Sequence, residues 1–396
     1  MSRTLILLAL LTYSVSAAEQ APTEPEVVHG TINVALGNRN GIIVLTDSAL
    51  SSGKRQLPEP GQKLFKLDER TVCAIAGFYN AGAAIPVSDL SVNTAAIIHE
   101  YIRQSAEQRP QTIDEKVKAL AYIFNLYLSI AANVLESSPP LQLWRYEFQL
   151  TVAGYDLDGK PKIEKITLKT KADQSHFWSG MDKVSVTNVK DGMEWKLGGI
   201  CDVAKQLLER PDLKPNDVAL RQYAASMRRN YGRSQTLQQM TRVAEQLKYY
   251  TSKKYPVYVG GESQVAVLER GHIISFKQQP FGELPRTPLN FRLVVNWVSN
   301  GNAMSDWPVF SGQTTVCIRC EWSDEPDAID GFYFIGSSFT NCRLRYDEGP
   351  VDLGDDAHVT NCELVIGRDA KIDSTAVQRL LRFQWKAVKY EWPRRN

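Results

Sequence analysis

Four residues near the start of the chain combine side-chain types and spacings that suit acyl-transfer chemistry. Thr31 follows Gly30 directly before a short apolar segment, and Asp47, Lys63 and Gly77 lie 16, 32 and 46 residues after it. Cleavage between Gly30 and Thr31 would make Thr31 the first residue, with a side-chain hydroxyl and a free α-amine. These groups are a nucleophile and a base on one residue. The segment therefore predicts a concealed N-terminal nucleophile.

Short strands should position these residues. Patterns rich in β-forming residues predict strands over 32–36, 41–48, 63–67 and 72–76, with a turn over 38–41. Further along, the periodicity of apolar residues predicts both helices and strands. We expect helices over 94–106, from the capping box at 112–115 to 135, and over 195–209, 216–229 and 235–250, and strands over 146–155, 162–169, 265–268 and 273–276. This order predicts a pair of sheets between helix layers.

The first residues have the pattern of an export signal. Arg3 precedes the apolar run Leu5–Leu11, and Val15-Ser16-Ala17 offers small residues for a signal peptidase. A buried first helix is the alternative. The apolar run is too short for a permanent membrane span, and no other stretch is long and apolar enough. We therefore expect an exported protein, periplasmic or secreted, with no membrane span in the mature chain.

From about residue 281 the composition changes, and the C-terminal part is rich in aromatic residues, Asn, Asp and short β-like segments. It contains a near repeat, Phe339–Leu344 and Val359–Leu364, offset by 20 residues, which suits one coil of a β-solenoid. The sequence therefore predicts a β-rich accessory domain, with a short parallel β-helix as its form. The expected divisions are a signal peptide (1–17), a leader (18–30), a main domain (31–280) and the accessory domain (281–396).

The front of the chain resembles the start of a proteasome β-type subunit, a member of the N-terminal nucleophile (Ntn) hydrolases. The resemblance depends on segments 31–36 and 41–48, Lys63 and segment 74–77 in one register. It covers about residues 30–276 and excludes the C-terminal domain. It implies an α+β fold, a four-layer αββα sandwich. Such proteins often form rings, so a homo-oligomer is expected, with ring formation left open.

The resemblance also implies roles for particular residues. The Thr31 hydroxyl would attack a peptide or amide carbonyl while its α-amine takes the proton through a water. Lys63 would favour the neutral amine by charge repulsion, and Asp47 would orient Lys63. The Gly77 N–H would stabilise the oxyanion. Ser179, in Trp178-Ser179-Gly180, would orient the amine.

Two positions depart from the family pattern. Pro256 and Val259 stand where the family has an Asp and a Ser beside a Gly-Gly pair. In the family these polar groups help to tune the amine of the nucleophile, so their replacement leaves open how the Thr31 amine would be tuned. By the same resemblance, Leu50, Ile75 and Tyr79 would line the pocket for the residue before the scissile bond. If they do, the pocket would prefer an apolar substrate residue. The alternative is that these three side chains only pack in the core.

No cofactor or metal is expected. Cys317-Ile318-Arg319-Cys320 could be half of a zinc site, but the other half is absent, and a disulfide is the better alternative in an exported protein. Over both of these, we favour an inward stack of Cys342 over Cys362 in adjacent coils. The histidines have no metal spacing, and no Gly-rich phosphate loop is present. A net charge of +2 without a basic stripe argues against a nucleic-acid partner.

These observations predict a threonine-type peptidase or amidohydrolase that cleaves itself between Gly30 and Thr31. It would then act on a peptide or another amide substrate. Two alternatives stay open: a non-catalytic proteasome-like scaffold, and an envelope- or glycan-binding protein that acts through its C-terminal domain.

Overall fold

The structure, a computed structural model, describes residues 28–29, 31–52, 55–77, 79–81, 92–136, 147–173, 176–188, 193–209, 235–278, 291–296, 298, 314–324, 326–348 and 351–391. The expected signal segment, most of the expected leader and the expected helix over 216–229 lie outside these residues. Within them the fold is mixed and strand-rich, with few helices and a C-terminal β-solenoid of about four turns.

Strands and helices alternate in groups before residue 280. The strands are β1 (Val28–His29), β2 (Ile32–Asn38), β3 (Gly41–Asp47), β4 (Ser51–Ser52), β5 (Arg55–Gln56), β6 (Leu64–Lys66), β7 (Thr71–Ala76), β8 (Asn80–Ala81), β9 (Val92–Asn93), β10 (Glu147–Tyr155), β11 (Pro161–Asp173), β12 (His176–Asn188), β13 (Glu194–Gly199), β14 (Ser263–Glu269) and β15 (His272–Lys277). The helices are α1 (Thr94–Ala106), α2 (Ile113–Glu136), α3 (Asp202–Glu209) and α4 (Leu237–Lys254).

Two five-stranded antiparallel sheets pack against each other. The first sheet has the order β13-β2-β3-β14-β15, and the second has the order β12-β11-β10-β7-β6. A buried apolar cluster joins them, with Ala35 and Ala266 from the first sheet and Ala74 and Ala153 from the second. Small and large apolar side chains together form this interface. Five short strands form a third sheet, with the order β5-β4-β1-β8-β9.

Helices cover the other face of each sheet. The alternate residues of β2, including Val34 and Leu36, pack with α3 and α4 residues such as Leu208 and Met240. On the second sheet, Leu150 and Phe148 pack in a cluster with residues of α1 and α2. Among the described helices, none has a stretch long and apolar enough to cross a membrane.

The strand and helix expectations are largely confirmed. The capping box of α2 forms, because the Glu115 N–H donates to Thr112 Oγ1 at 3.2 Å and the Thr112 N–H donates to Glu115 Oε2 at 2.7 Å. The helix expected over 195–209 is wrong in its first half. Residues 194–199 form β13, whose Trp195 and Leu197 pair with the edge of β2, and α3 begins only at Asp202. Pairing with an open sheet edge overrode the helical pattern there.

The C-terminal part is a parallel β-solenoid, as the 20-residue repeat predicts. Its three parallel sheets have the orders β16-β17-β20, β18-β21-β23 and β19-β22-β24-β25. The elements are β16 (Phe291–Val295), β17 (Thr314–Ile318), β18 (Glu321–Ser323), β19 (Pro326–Ala328), β20 (Phe332–Ile335), β21 (Ser338–Thr340), β22 (Arg343–Tyr346), β23 (His358–Thr360), β24 (Glu363–Ile366), β25 (Ala387–Tyr390) and α5 (Thr375–Leu380).

The solenoid packs against α1 and α2. Tyr333 of β20 stacks on Tyr122 of α2 with ring centroids 4.7 Å apart, and Val316 and Ile335 join the same buried cluster. Polar contacts surround this patch. Lys118 Nζ lies 2.8 Å from Asp356 Oδ2, so a charge on α2 meets one on the solenoid.

We predict that Tyr333→Ala lowers the free energy of unfolding by about 3 kcal/mol, because it removes a buried ring from this interface. Chemical denaturation followed by circular dichroism measures the change. Tyr390→Ala removes the same atoms from a ring that is 40% exposed, and it should change stability by about 0.5 kcal/mol or less. Equal effects of the two substitutions would contradict a stabilising interface.

Candidate active site

The carboxylate of Asp47 is the centre of the candidate site. Its Oδ1 accepts hydrogen bonds from Thr31 Oγ1 at 2.6 Å, from the Ile32 N–H at 3.1 Å and from Lys63 Nζ at 3.2 Å. Its Oδ2 accepts the Gly260 N–H at 2.9 Å. Three of the four residues singled out by their spacing are therefore in direct contact, and all three are buried.

The two central strands of the first sheet explain part of this arrangement. Thr31 directly precedes β2 and Asp47 ends β3, and the antiparallel register pairs Asn33 with Thr46. The start of one strand and the end of the next therefore lie side by side. Neighbouring strands in a sheet are about 4.8 Å apart, so short side chains can span the gap.

Lys63 approaches from the second sheet, where it directly precedes β6. Gln264 of β14 fixes this segment: its Oε1 accepts the N–H groups of Lys63 at 3.1 Å and Leu64 at 3.2 Å, and its Nε2 donates to Gly61 O at 2.7 Å. The Lys63 ammonium also donates to the carbonyl of Ala49. One glutamine side chain thus holds the backbone that presents the lysine.

The Asp47–Lys63 ion pair is enclosed by the protein. Burial lowers the pKa of Lys63 below its ordinary value, and the Asp47 carboxylate opposes that shift by charge attraction and by a hydrogen bond. Lys248, a second buried cation, adds to the lowering. A buried ion pair of this kind is stable only while its remaining hydrogen-bonding positions are filled. The Thr31 hydroxyl and the Gly260 amide fill two of those on Asp47.

Gly199 holds the backbone of Thr31 from the other side. The Ile200 N–H donates to Thr31 O at 2.9 Å, and Gly199 has φ of +72°. A Cβ at position 199 would lie 2.2 Å from Thr31 O, so only glycine fits without a backbone shift. The Gly199 N–H donates to Gln149 Oε1 at 2.9 Å, which ties this turn to the second sheet.

Gly77 lies at the same end of the sheet pair. It follows β7 with φ of +95°, a conformation that favours glycine. Its neighbour Ala76 pairs with Gln149, the residue whose side chain binds Gly199 beside Thr31. The expected use of its N–H as an oxyanion donor stays a prediction.

The leader residues before Gly30 run as a strand between two others. In β1, Val28 pairs with Ser52 of β4 and with Asn80 of β8, and His29 pairs with Ser51. Both pairings are antiparallel. Gly30 itself lies outside the described residues. In the short third sheet, β1 therefore fills the place between β4 and β8, which we call the groove.

The structure brings Leu50, Ile75 and Tyr79 into one apolar cluster. All three are buried, and Tyr79 Oη accepts the Gln62 N–H at 3.2 Å. This enclosure accounts for them as packing residues, and their use as a specificity pocket stays a prediction. Ser179 lies on β12, opposite Thr170 in the register. The described residues do not include the Ser179 side chain, so its expected role is also a prediction.

The segment that departs from the family pattern contacts the site through its backbone. Val259 is buried among apolar residues of the helix-covered face, so no polar group stands there. The next residue supplies the Gly260 N–H to Asp47. Gly261 has φ of +65° and its carbonyl accepts Lys248 Nζ at 2.7 Å. The same Nζ lies 3.0 Å from Ser263 Oγ.

Sequence reasoning missed three supporting residues: Gly260, Gln264 and Lys248. The Gly260-Gly261 pair was a visible signal of close backbone approach, but nothing near it in sequence identified Asp47 as its partner. Gln264 directly precedes the predicted strand over 265–268, and Lys248 lies in the predicted helix over 235–250, and neither pattern gave the residue a special role. Their contacts depend on the tertiary packing.

The described residues contain no cluster of three or more His, Cys, Asp or Glu side chains able to hold a metal ion. In comparisons with known proteins, no family model and no curated sequence matches this chain. A functional assignment therefore depends on the geometry of the site.

We predict that Gly199→Ala destabilises the protein more than Gly159→Ala. Both residues have positive φ, +72° and +78°, so each alanine incurs a backbone cost of about 1–2 kcal/mol. A Cβ at 159 meets nothing within 4 Å, whereas one at 199 collides with Thr31 O. Urea denaturation of both variants measures the difference. Equal losses would contradict the close approach to Thr31.

Proposed function

We propose that the protein is a threonine-type Ntn hydrolase that cleaves its own Gly30–Thr31 bond and then hydrolyses peptide or other amide bonds after export. The observation that carries the proposal is the shared carboxylate: Asp47 Oδ1 accepts both Thr31 Oγ1 and Lys63 Nζ. The sheet pair with helices on both outer faces supports the corresponding αββα sandwich.

Self-cleavage requires a base other than the Thr31 amine, because that nitrogen is an amide in the uncut chain. Asp47 Oδ1 lies 2.6 Å from Thr31 Oγ1, within reach to accept the hydroxyl proton as the oxygen attacks the Gly30 carbonyl. Collapse of the adduct breaks the C–N bond, the leaving nitrogen takes the proton held by Asp47 and becomes the free α-amine, and an ester remains on the Thr31 oxygen. Water then hydrolyses the ester, which regenerates the Thr31 hydroxyl and releases the Gly30 carboxylate.

Turnover of a substrate uses the amine that self-cleavage releases. An α-amine has an ordinary pKa of about 7.7–8.0, and the nearby Lys63 charge favours its neutral form. The neutral amine accepts the hydroxyl proton, through a water, while Oγ1 attacks the substrate carbonyl. The groove between β4 and β8, which holds the leader strand, would hold the substrate on the same side of the nucleophile.

The second candidate is a non-catalytic scaffold. The leader strand in the groove and the 1% exposure of Thr31 are the observations that favour it, since both also describe a permanently closed site. The intact mass of the purified protein separates the two candidates. A mature chain that begins at Thr31 supports the hydrolase, and a retained leader supports the scaffold.

We predict that Thr31→Ala abolishes both cleavage at Gly30–Thr31 and peptide hydrolysis, because it removes the nucleophile. Thr31→Ser keeps a hydroxyl and should retain part of both activities. Mass spectrometry measures the first activity, and a fluorogenic peptide assay measures the second. Thr241→Ala serves as a control, since Thr241 Oγ1 donates to Leu237 O of its own helix. Hydrolysis by Thr31→Ala at the wild-type rate would contradict the proposal.

We also predict an alkaline limit to activity below the pKa of an ordinary lysine. Burial lowers the pKa of Lys63, so its ammonium loses the proton at lower pH than in the unfolded chain, and activity falls as it does. Asp47 raises that pKa, so in a chain produced to begin at Thr31, which needs no self-cleavage, the residual activity of Asp47→Asn should decline at lower pH than that of the wild type. Rate profiles between pH 6 and about 10.4 measure both limbs. If the activity of Asp47→Asn falls at the same alkaline pH as that of the wild type, this role of Lys63 is contradicted.

A further inference from the structure

Two cysteines of the solenoid lie directly above one another in adjacent turns. Cys342 stands between β21 and β22, and Cys362 stands at the equivalent place between β23 and β24. The parallel register pairs Thr340 with Thr360 and Arg343 with Glu363 on either side of them. The two cysteines are therefore neighbours 20 residues apart in sequence, as the repeat predicts.

The same backbone bend presents both sulfurs. Asn341 and Asn361, directly before the cysteines, have φ of +56° and +54°, and Asn361 Nδ2 donates to Asn341 Oδ1 at 2.6 Å. The side chains of Cys342 and Cys362 lie in the apolar interior of the solenoid, where they are buried. Equivalent bends make the two Cα–Cβ bonds run in the same direction.

The two sulfur groups are in contact. The Cys342 N–H donates to Cys362 Sγ at 3.2 Å. A hydrogen bond from the Cys342 side chain, joined by that backbone N–H, lowers the pKa of Cys362 to about 7, while burial opposes the shift. In-register parallel strands are about 4.8 Å apart, inside the Cα separation of about 4.4–6.8 Å that a disulfide accepts.

The other two solenoid cysteines, Cys317 and Cys320, lie opposite other residue types in the next turn. Cys317 pairs with Phe334 in the next turn. The Cys320 N–H donates to Ser337 Oγ at 3.2 Å, so the next turn carries a serine at that place. In the described strand register, these two positions therefore meet a phenylalanine and a serine in the next turn, whereas Cys342 meets Cys362.

We propose that Cys342 and Cys362 form an oxidisable dithiol site that closes as a disulfide between adjacent solenoid turns. The oxidant is a small or protein disulfide, which reaches the two thiols while the solenoid turns are still open during folding. This site is independent of the hydrolase chemistry at Thr31.

The reaction proceeds by two exchanges. The Cys362 thiolate attacks one sulfur of the oxidant, breaks its S–S bond and releases a thiolate, which takes up the proton that Cys362 has lost. The Cys342 sulfur then attacks Cys362 Sγ in the mixed disulfide and releases the second thiolate, which takes the Cys342 proton. Two cysteine thiols are oxidised by two electrons, and one disulfide is reduced to two thiols.

The bond would close the chain segment that contacts α2. Residues 343–361 include Asp356, the partner of Lys118 of α2, and Asp352, which accepts Arg379 Nη1 at 2.8 Å. A disulfide at the two ends of this segment restricts its unfolded conformations, which favours the folded solenoid. Oxidation should therefore raise the thermal midpoint of the solenoid.

The test uses the full purified chain, refolded from denaturant with oxidised glutathione and compared with a sample refolded in dithiothreitol. We expect the mass to fall by two hydrogen atoms, a cross-linked peptide that joins Cys342 to Cys362, and a higher thermal midpoint. Cys320→Ser should behave as wild type. Cys342→Ser should lose the cross-link and trap glutathione on Cys362 instead.

Two outcomes would overturn the proposal. One is a wild-type chain in which alkylation still labels both Cys342 and Cys362 after oxidation and denaturation. The other is a cross-link between different cysteines. Because the labelling is read on the wild-type chain, the result does not depend on whether the serine variants fold.

Discussion

One buried carboxylate connects three separate backbone segments of this protein. Asp47 accepts donors from the start of β2, from Lys63 before β6 and from the Gly260 turn. In an interior of low dielectric, a carboxylate that loses such partners is strongly destabilised. The segments are therefore held where the carboxylate needs them. The same requirement places the Thr31 hydroxyl and the Lys63 ammonium on one oxygen, which is the arrangement that a nucleophile and its charge partner require.

Close backbone approach is the second condition for the site. The two sheets meet through apolar side chains such as Ala35 and Ala153, and the turns beside the carboxylate use glycines. Gly199 touches the Thr31 carbonyl, and a Cβ at Gly261 would lie 2.4 Å from Ser48 Oγ. These positions have no room for a larger residue. Precise placement of Thr31 thus depends on residues that have no functional side chain.

The solenoid contacts a layer of the fold that does not carry the candidate site. Its described contacts with the rest of the chain include two with α2. Tyr333 stacks on Tyr122 of this helix, and Asp356 pairs with Lys118 of the same helix. The second sheet separates α2 from the first sheet, which carries Thr31 and Asp47. The two parts therefore share one apolar cluster while each keeps its own core.

Local hydrogen bonding and periodicity by themselves determined the α2 capping box, the strands β10 and β11 and the 20-residue coil of the solenoid. They also brought Thr31, Asp47 and Lys63 to attention through spacing. Only the tertiary structure decided that Trp195 lies in a strand, and that Gly260 and Gln264 bind residues 213 and 201 positions away. The physical reason is range. A pattern of side chains specifies which face is apolar and which neighbours can bond, whereas contacts between distant segments exist only after the packed layers bring those segments together.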